Sequence, residues 1–439
     1  MPQPRNEQWT SRRVTVMGLG RFGGGVGVTR WLARQGARVA VTDLASAEQL
    51  RDSLARLEGL DLTLHLGGHD EADFVGCDLL VVNPAVPFDS PYLQAASDAG
   101  VEITTEINLF LARCPAAVVG ITGSAGKSTT VAMAGAILAR AKETHVGGNI
   151  GVSLLDKLGE IRPDHVVVLE LSSFQLAYLP AVARSPHVAV VTNLQPNHLD
   201  RHGTLAEYAE AKKNIFRAQC PQDVLVLNRD DREVASWAGE AAGRVELFSA
   251  DDEPFELKLP GRHSQANAQA AWSAARQFGL PREAAVEALA SFTGLPHRLE
   301  LVLERGGVRY FNDSKCTTPA GTVAALEAFP PRSAIVILGG YDKHVDFGEL
   351  CRLLAVRAKA VVAAGQTGPE IARGTERARG DGDAPEVVRA EQFADAVRAA
   401  RELARPGDVV LLSPACASYD QFDNYEQRGE TFVRLLEQS

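Results

Sequence analysis

Three consecutive α/β units, each a mainly parallel sheet joined by crossover helices, are what the patterning of this chain predicts. Short β-branched runs alternate with helical patterns along the 439 residues, the order of a doubly wound sheet. Two glycine-rich turns each follow a strand and open a helix, and each can begin a nucleotide-binding sheet. The length suits about three domains of about 150 residues each. The expected units are 1–112, 113–293 and 294–439. They read as a Rossmann-like N-terminal sheet, a central P-loop mononucleotide-binding sheet and a Rossmann-like C-terminal sheet.

In the first unit Val14–Met17 reads as a strand, Val26–Gln35 as a helix, and Arg38–Thr42 as a strand ending at Asp43. Leu79–Val82 is a further strand, stopped by Asn83-Pro84. Gly18-x-Gly20-x-x-Gly23, with Asp43 twenty residues beyond Gly23, is the dinucleotide fingerprint in its strand-turn-helix setting. An NAD-dependent oxidoreductase is therefore one reading. The glycines by themselves require only that a phosphate-bearing ligand comes close to the backbone.

The second unit opens with the apolar run Ala116 to Val119 and then Gly-Ile-Thr-Gly-Ser-Ala-Gly-Lys-Ser-Thr-Thr at 120–130. This is a compressed phosphate loop, since Ile121 stands where a regular Walker A has its first glycine. Lys127 suits the β/γ-phosphates and the Ser128 hydroxyl suits Mg²⁺, so ATP is the leading ligand. Strands follow at Val166–Leu171, Val188–Thr192 and Val224–Asn228, with helices at Leu205–Arg217 and Gln265–Gly279. Glu170, at a strand end, can hold Mg²⁺ or be a plain solvated terminus. His198 lies in a loop, and Lys212 on a helix is by default a surface lysine.

The third unit alternates again, with strands at Val308–Asn312, Ala334–Leu338, Ala360–Ala364 and Val409–Ser413 and a helix near Thr322–Ala328. Arg373–Pro385, rich in Gly, Asp and Arg, is expected to be an exposed loop. Three strand ends carry small polar residues with Lys or Ser: Asn312 to Lys315, Gly339 to Lys343 and Ser413 to Ser418. Turn chemistry explains one such end easily and three poorly. Lys315 and Lys343 at one rim would bind a carboxylate or phosphate.

Composition narrows the classes. A net charge of -10 disfavours non-specific nucleic-acid binding, which needs clustered Lys and Arg. Six scattered cysteines with no CxxC suit reduced thiols. With no apolar leader and no run of about 18 apolar residues, a cytoplasmic chain that spans no membrane is expected.

The ordered motifs Thr122 to Thr129, Gly147-Gly148-Asn149-Ile150-Gly151, Glu170 to Leu176, His198-Leu199-Asp200, Ala211-Lys212, His297-Arg298, Asn312 to Lys315 and Ser413 to Gly429 resemble the Mur ligases of peptidoglycan synthesis. The Ser413 to Gly429 run is similar to their D-glutamate-adding branch. The resemblance covers nearly the whole chain. It implies a monomeric, ATP-dependent, ADP-forming ligase that adds D-glutamate to UDP-N-acetylmuramoyl-L-alanine through an acyl phosphate.

By that resemblance Gly20, Arg21, Phe22 and Asp43 line the uridine diphosphate pocket. Gly123, Ser124, Ala125, Gly126, Lys127, Ser128 and Thr129 bind ATP with Asn267, Arg298 and Asp313. Ser128, Glu170, His198 and an N-carboxylated Lys212 surround two Mg²⁺, and Lys127, Glu170, His198 and Lys212 serve catalysis. Asn149 and His198 approach the muramoyl-alanine portion. Lys315, Thr317, Lys343, Ser418 and Tyr425 hold D-glutamate. Asn197 departs from the pattern where an aspartate is usual, as does Tyr425 where phenylalanine is common.

The oxidoreductase reading leaves Gly126-Lys127-Ser128 without a task. A folylpolyglutamate-type ligase would begin close to its phosphate loop, whereas more than a hundred residues precede this one; another Mur ligase is the remaining relative. A non-catalytic nucleotide-binding protein would have little need for Lys127, Glu170, His198 and Lys212 together.

Overall fold

The computed structural model describes residues 9–20, 23–150 and 153–438. Three sheets are present. The first has strands β1 (Arg13–Met17), β2 (Arg38–Asp43), β3 (Leu62–Leu66), β4 (Leu79–Val82) and β5 (Glu102–Thr104), in the order β3-β2-β1-β4-β5. The second has β6 (Ala117–Thr122), β7 (Thr144–Gly148), β8 (Val166–Glu170), β9 (Val188–Val191), β10 (Val224–Asn228) and β11 (Arg244–Phe248), ordered β11-β10-β9-β6-β8-β7. The third has β12 (Glu300–Arg305), β13 (Val308–Asn312), β14 (Ala334–Leu338), β15 (Ala358–Ala364), β16 (Glu386–Ala390) and β17 (Val409–Leu412), ordered β12-β13-β17-β14-β15-β16. All pairings are parallel except β12 with β13.

The chain divides into two compact units. One comprises residues to Glu253 with Ala266–Leu289 and holds the first two sheets; the other comprises Pro254–Gln265 with Ala290 onward and holds the third. Parallel strands covered on both faces need continuous apolar runs. Val224–Asn228 and Ala334–Leu338 are buried at every position. Each Val, Leu or Ile side chain so placed contributes about 1.5–3 kcal/mol.

Every strand expected from the sequence is interior to its sheet, and the six it did not identify (β3, β5, β7, β11, β12 and β16) are the six edge strands. Edge strands are half-solvated and lack the apolar run: in β3 the middle three residues are exposed. The expected loop at Arg373–Pro385 is corrected for most of its length. A helix runs Gly368–Arg379, with Ile371, Ala372 and Thr375 on its buried face. Its charged residues occupy the opposite face, the period of an amphipathic helix, and Gly380 at φ 66° ends it.

Ile371→Ala should therefore cost about 2–5 kcal/mol, the range for a core truncation, measured by chemical denaturation. A residue flanking a solvated loop would lose well under about 1 kcal/mol.

Candidate active site

Phosphate loop and its lysines. Between β6 and the helix Lys127–Leu138 the chain turns through Gly123 and Gly126, at φ 154° and 80°. Side chains are excluded at both. A Cβ on Gly123 would collide with Thr192 Oγ1, and one on Gly126 with Asn267 Oδ1. The loop is braced from β9's end: Asn193 Oδ1 accepts the Ala125 N–H at 2.8 Å, and Thr192 Oγ1 donates to the Ala125 carbonyl at 2.7 Å. Lys127 Nζ donates to the carbonyls of Gly123 and Ser124 at 2.9 and 3.1 Å.

Lys212 is not a surface residue. It sits on the helix Leu205–Lys213, is 1% exposed, and donates to the same Gly123 carbonyl at 2.9 Å. Its ammonium position lies 4.4 Å from the Tyr208 ring centre. Burial, aided by the charge of Lys127, pushes its pKa well below that of an ordinary lysine, which favours the neutral amine. A helix position four residues from Tyr208 gave no warning of this.

Glu170 ends β8, beside Ile121 of β6 and Gly148 of β7 in register. It is 3% exposed; Oε1 accepts from Asn149 Nδ2 at 2.9 Å, while Oε2 is buried and without a partner among the described residues. An orphaned, buried carboxylate oxygen fits a divalent ion. No cluster of three or more His, Cys, Asp or Glu capable of holding a metal occurs among the described residues.

His198 stands at φ 55° at the start of the short helix Leu199–His202, with its ring 5.0 Å from that of Phe174. Burial, then the charges of Lys127 and Lys212, hold its pKa below the usual value. Two neighbours that patterning did not single out keep it there. Arg201 lies over Phe174 and donates to the carbonyls of Ala85 and Val86, at 3.1 and 2.7 Å. His202 stacks on Phe174 and pairs through Nε2 with Ser173 Oγ at 2.9 Å.

A cavity of about 990 Å³ lies between the carboxyl ends of β1 and β4 and the His198 loop, with Gly20, Asp43, Asn149 and His198 on its wall. Such a volume accommodates a large ligand. Asp43 shapes the turn: its carboxylate accepts from the N–H groups of Gly20 and Ala45 at 3.0 and 2.8 Å. Gly18, at φ 87°, leaves no room for a Cβ beside Asn83. Arg21 and Phe22 lie outside the described residues.

The second unit. The three strand ends grouped by sequence belong to β13, β17 and β14, which are adjacent. Arg428, 2% exposed, ties two of them together by donating to Ser314 Oγ and to the carbonyls of Ser314, Cys416 and Ala417. Lys315 Nζ lies 5.4 Å from the Tyr425 ring, Ser418 is buried, Thr317 is half-buried, and Lys343 is exposed. Gly429 admits the His297 ring, which a Cβ there would strike. Asp313 accepts from Leu299 N–H at 3.1 Å and from Ser413 Oγ at 2.8 Å. Burial raises its carboxyl to about 6, with the charge of Arg298 opposing.

A loop offering a lysine to phosphates, backed by a buried lysine and an unsatisfied carboxylate, is the equipment of an enzyme that transfers a phosphoryl group from a nucleotide. Models of three families match: Mur ligase MurD-like, N-terminal domain, over 12–105; Mur ligase middle domain, over 121–254; and Mur ligase, glutamate ligase domain, over 297–416. The chain is 43% identical to the UDP-N-acetylmuramoylalanine–D-glutamate ligase of Symbiobacterium thermophilum, covering 97% of this chain and 98% of that one. It is 42% identical to the enzyme of the same name from Anaeromyxobacter dehalogenans, covering 96% and 97%. Among solved structures, the fold is similar to UDP-N-acetylmuramate-alanine ligase MurC of Thermotoga maritima, with a TM-score of 0.63 at 21% identity over 97% of this chain and 99% of that one. It is similar also to MurF ligase of that organism in complex with ADP, with a TM-score of 0.62 at 17% identity over 99% of each. The chain belongs to the Mur ligase family.

Two outcomes follow from this geometry. Gly126→Ala should retain the fold yet weaken ATP binding at least about tenfold, because the strained turn and its contact with Asn267 must give by more than about 1.4 kcal/mol; calorimetric titration with ATP measures it. Since Asp313 has a raised folded pKa, its stabilising contribution is complete below about pH 4 and fades as pH rises through about 6. Thermal unfolding followed from pH 4 to 7 should show this decline in the wild type and a shallower one in Asp313→Asn.

Proposed function

We propose that the chain joins D-glutamate to UDP-N-acetylmuramoyl-L-alanine at the expense of ATP, forming ADP and phosphate, as a monomeric enzyme of cytoplasmic peptidoglycan precursor synthesis. The observation that carries this reading is the convergence of Lys127 and buried Lys212 on the Gly123 carbonyl of the phosphate loop. The full-length relatives named for this reaction supply the substrates. In this reading residues 1–112 grip the nucleotide sugar, 113–293 bind ATP and 294–439 bind the amino acid.

A carboxylate is a poor electrophile, so it must first be activated. The alanyl carboxylate attacks the γ-phosphorus of ATP, and the bond to the β,γ-bridging oxygen breaks to release ADP. Lys127 stabilises charge on the transferring group, and the loop's N–H groups orient the phosphates, as phosphoryl transfer requires. Mg²⁺ held by Ser128, Glu170 and His198, with a second ion near Lys212, would neutralise phosphate charge. The neutral amine of D-glutamate then attacks the acyl carbon, and collapse of the tetrahedral intermediate expels phosphate. Asn267, Arg298 and Asp313 serve the nucleotide. Lys315, Thr317, Lys343, Ser418 and Tyr425 present the amino acid, with the two lysines matched to its carboxylates.

The environment of Lys212 supports reading it as an N-carboxylated side chain. Only an unprotonated amine adds to CO₂, and burial favours that form. The carbamate would turn a buried neutral amine into an anion able to serve as a metal ligand.

Phosphate release in ATP, Mg²⁺ and UDP-N-acetylmuramoyl-L-alanine should depend on D-glutamate and not on L-glutamate, D-alanine or L-lysine. Lys127→Ala should lower it by about 10³-fold or more, the loss seen when a key charge-stabilising group goes. Lys212→Ala should be inactive and regain part of its rate with added short carboxylic acids. An active Lys212→Ala enzyme would refute the carbamate, and indifference to D-glutamate would refute the acceptor.

A further inference from the structure

The cavity read here as the nucleotide-sugar pocket has acidic side chains that the reaction above leaves unused, Glu106 beside Asp89 and Asp200. Glu106, first residue of the helix Glu106–Leu111, lies on the cavity wall with Gly24 and Gly25 at the start of the helix Gly24–Gln35. A carboxylate in that position would repel a diphosphate. Its surroundings argue that it is not one when ligand is bound.

Glu106 Oε1 accepts the hydroxyl proton of Ser153 at 2.6 Å, and Ser153 Oγ accepts from the Leu155 N–H at 3.3 Å. Ser153 is packed against Gly27, where a Cβ would collide with its side chain. The carboxyl is therefore held in place from the turn that follows the Asn149 loop. Among the described residues, the elements packed on its helix offer no cation to it directly. On the turn Leu155–Lys157 the facing charge is Asp156, which is itself engaged by Arg30 and Arg34 of the helix Gly24–Gln35 at 3.0 and 3.7 Å. The turn Leu179–Val182 contributes no ionisable side chain. Burial, eased by the Ser153 hydrogen bond and reinforced by Asp156, pushes the Glu106 carboxyl up to about 7.

We propose that Glu106 binds the nucleotide sugar as a neutral acid, donating its proton in a hydrogen bond to an anionic oxygen of the ligand's diphosphate. This rests on reading the cavity as the nucleotide-sugar pocket. The pocket thereby gains a donor that becomes a repelling anion at high pH. Bringing a polyanion beside a carboxyl raises its pKa further, so binding near pH 7–8 must take up a proton from solvent. The diphosphate diester and the alanyl carboxylate of the ligand stay ionised across this range. His69 and His198, on the same wall, have pKa values held below that of ordinary histidine by burial.

The test is calorimetric titration of the full chain with UDP-N-acetylmuramoyl-L-alanine, without ATP, at about pH 6.5, 7.5 and 8.5 in two buffers of different ionisation enthalpy. The wild type should take up a sizeable fraction of a proton near pH 7.5, and Kd should rise about tenfold across the range. Glu106→Gln, which keeps a donor and cannot ionise, should bind with a Kd close to the wild type's low-pH value, vary less than about twofold with pH, and take up no proton. Wild-type binding without proton uptake overturns the proposal whatever the variants do, as does a Glu106→Gln protein that keeps the wild-type slope. Absence of binding at every pH would instead refute the assignment of the cavity to a nucleotide sugar.

Discussion

Two amines share one carbonyl oxygen, that of Gly123, and the rest of the site is arranged around that constraint. With both Nζ atoms 2.9 Å from the same acceptor, two full charges would lie within about 6 Å and repel by about 3 kcal/mol at an effective dielectric of about 20. Burial of Lys212 resolves the conflict by disfavouring its charge. Lys127, half-buried, stays on the loop itself. The same geometry requires glycine at 123 and 126, because the lysines reach the loop only where backbone, not side chain, meets Thr192 and Asn267.

The second unit meets a different constraint with the same architecture. Its three strand ends offer small polar groups that would be disordered turns in isolation. A fully buried guanidinium supplies the missing donors: Arg428 satisfies carbonyls from both the β13 and β17 ends. Burial lowers its pKa to about 10, still protonated at neutral pH. A buried cation costs solvation, and four hydrogen bonds to oxygen offset it. Arg428 thus joins the backbone of the Ser314 turn to that of Cys416 and Ala417.

Positive backbone angles mark where shape was imposed on the chain. His198, His297 and Ala415 all adopt left-handed φ, a region that side-chain-bearing residues seldom enter. Two of them are held by named neighbours: Phe174 with Arg201 for His198, Gly429 with Asn312 for His297.

How much was legible follows from what burial does to sequence. Interior strands such as β10 and β14 must be apolar on both faces, and that leaves a continuous run any reader can find. Edge strands β3 and β16, half in water, carry mixed residues and leave none. The helix Gly368–Arg379 hid behind its charges because its buried face is narrow. The three polar strand ends were recognisable as a group, but the placing of β17 between β13 and β14 was decided by the sheet. Glycine turns and the lysine at 127 were visible in one dimension because backbone geometry dictates them. The burial of Lys212, the orphaned oxygen of Glu170, the Arg201 and Arg428 clamps and the raised carboxyl of Glu106 were not. Each depends on which distant segment covers a side chain, and desolvation is a property of that covering, not of the residue beneath it.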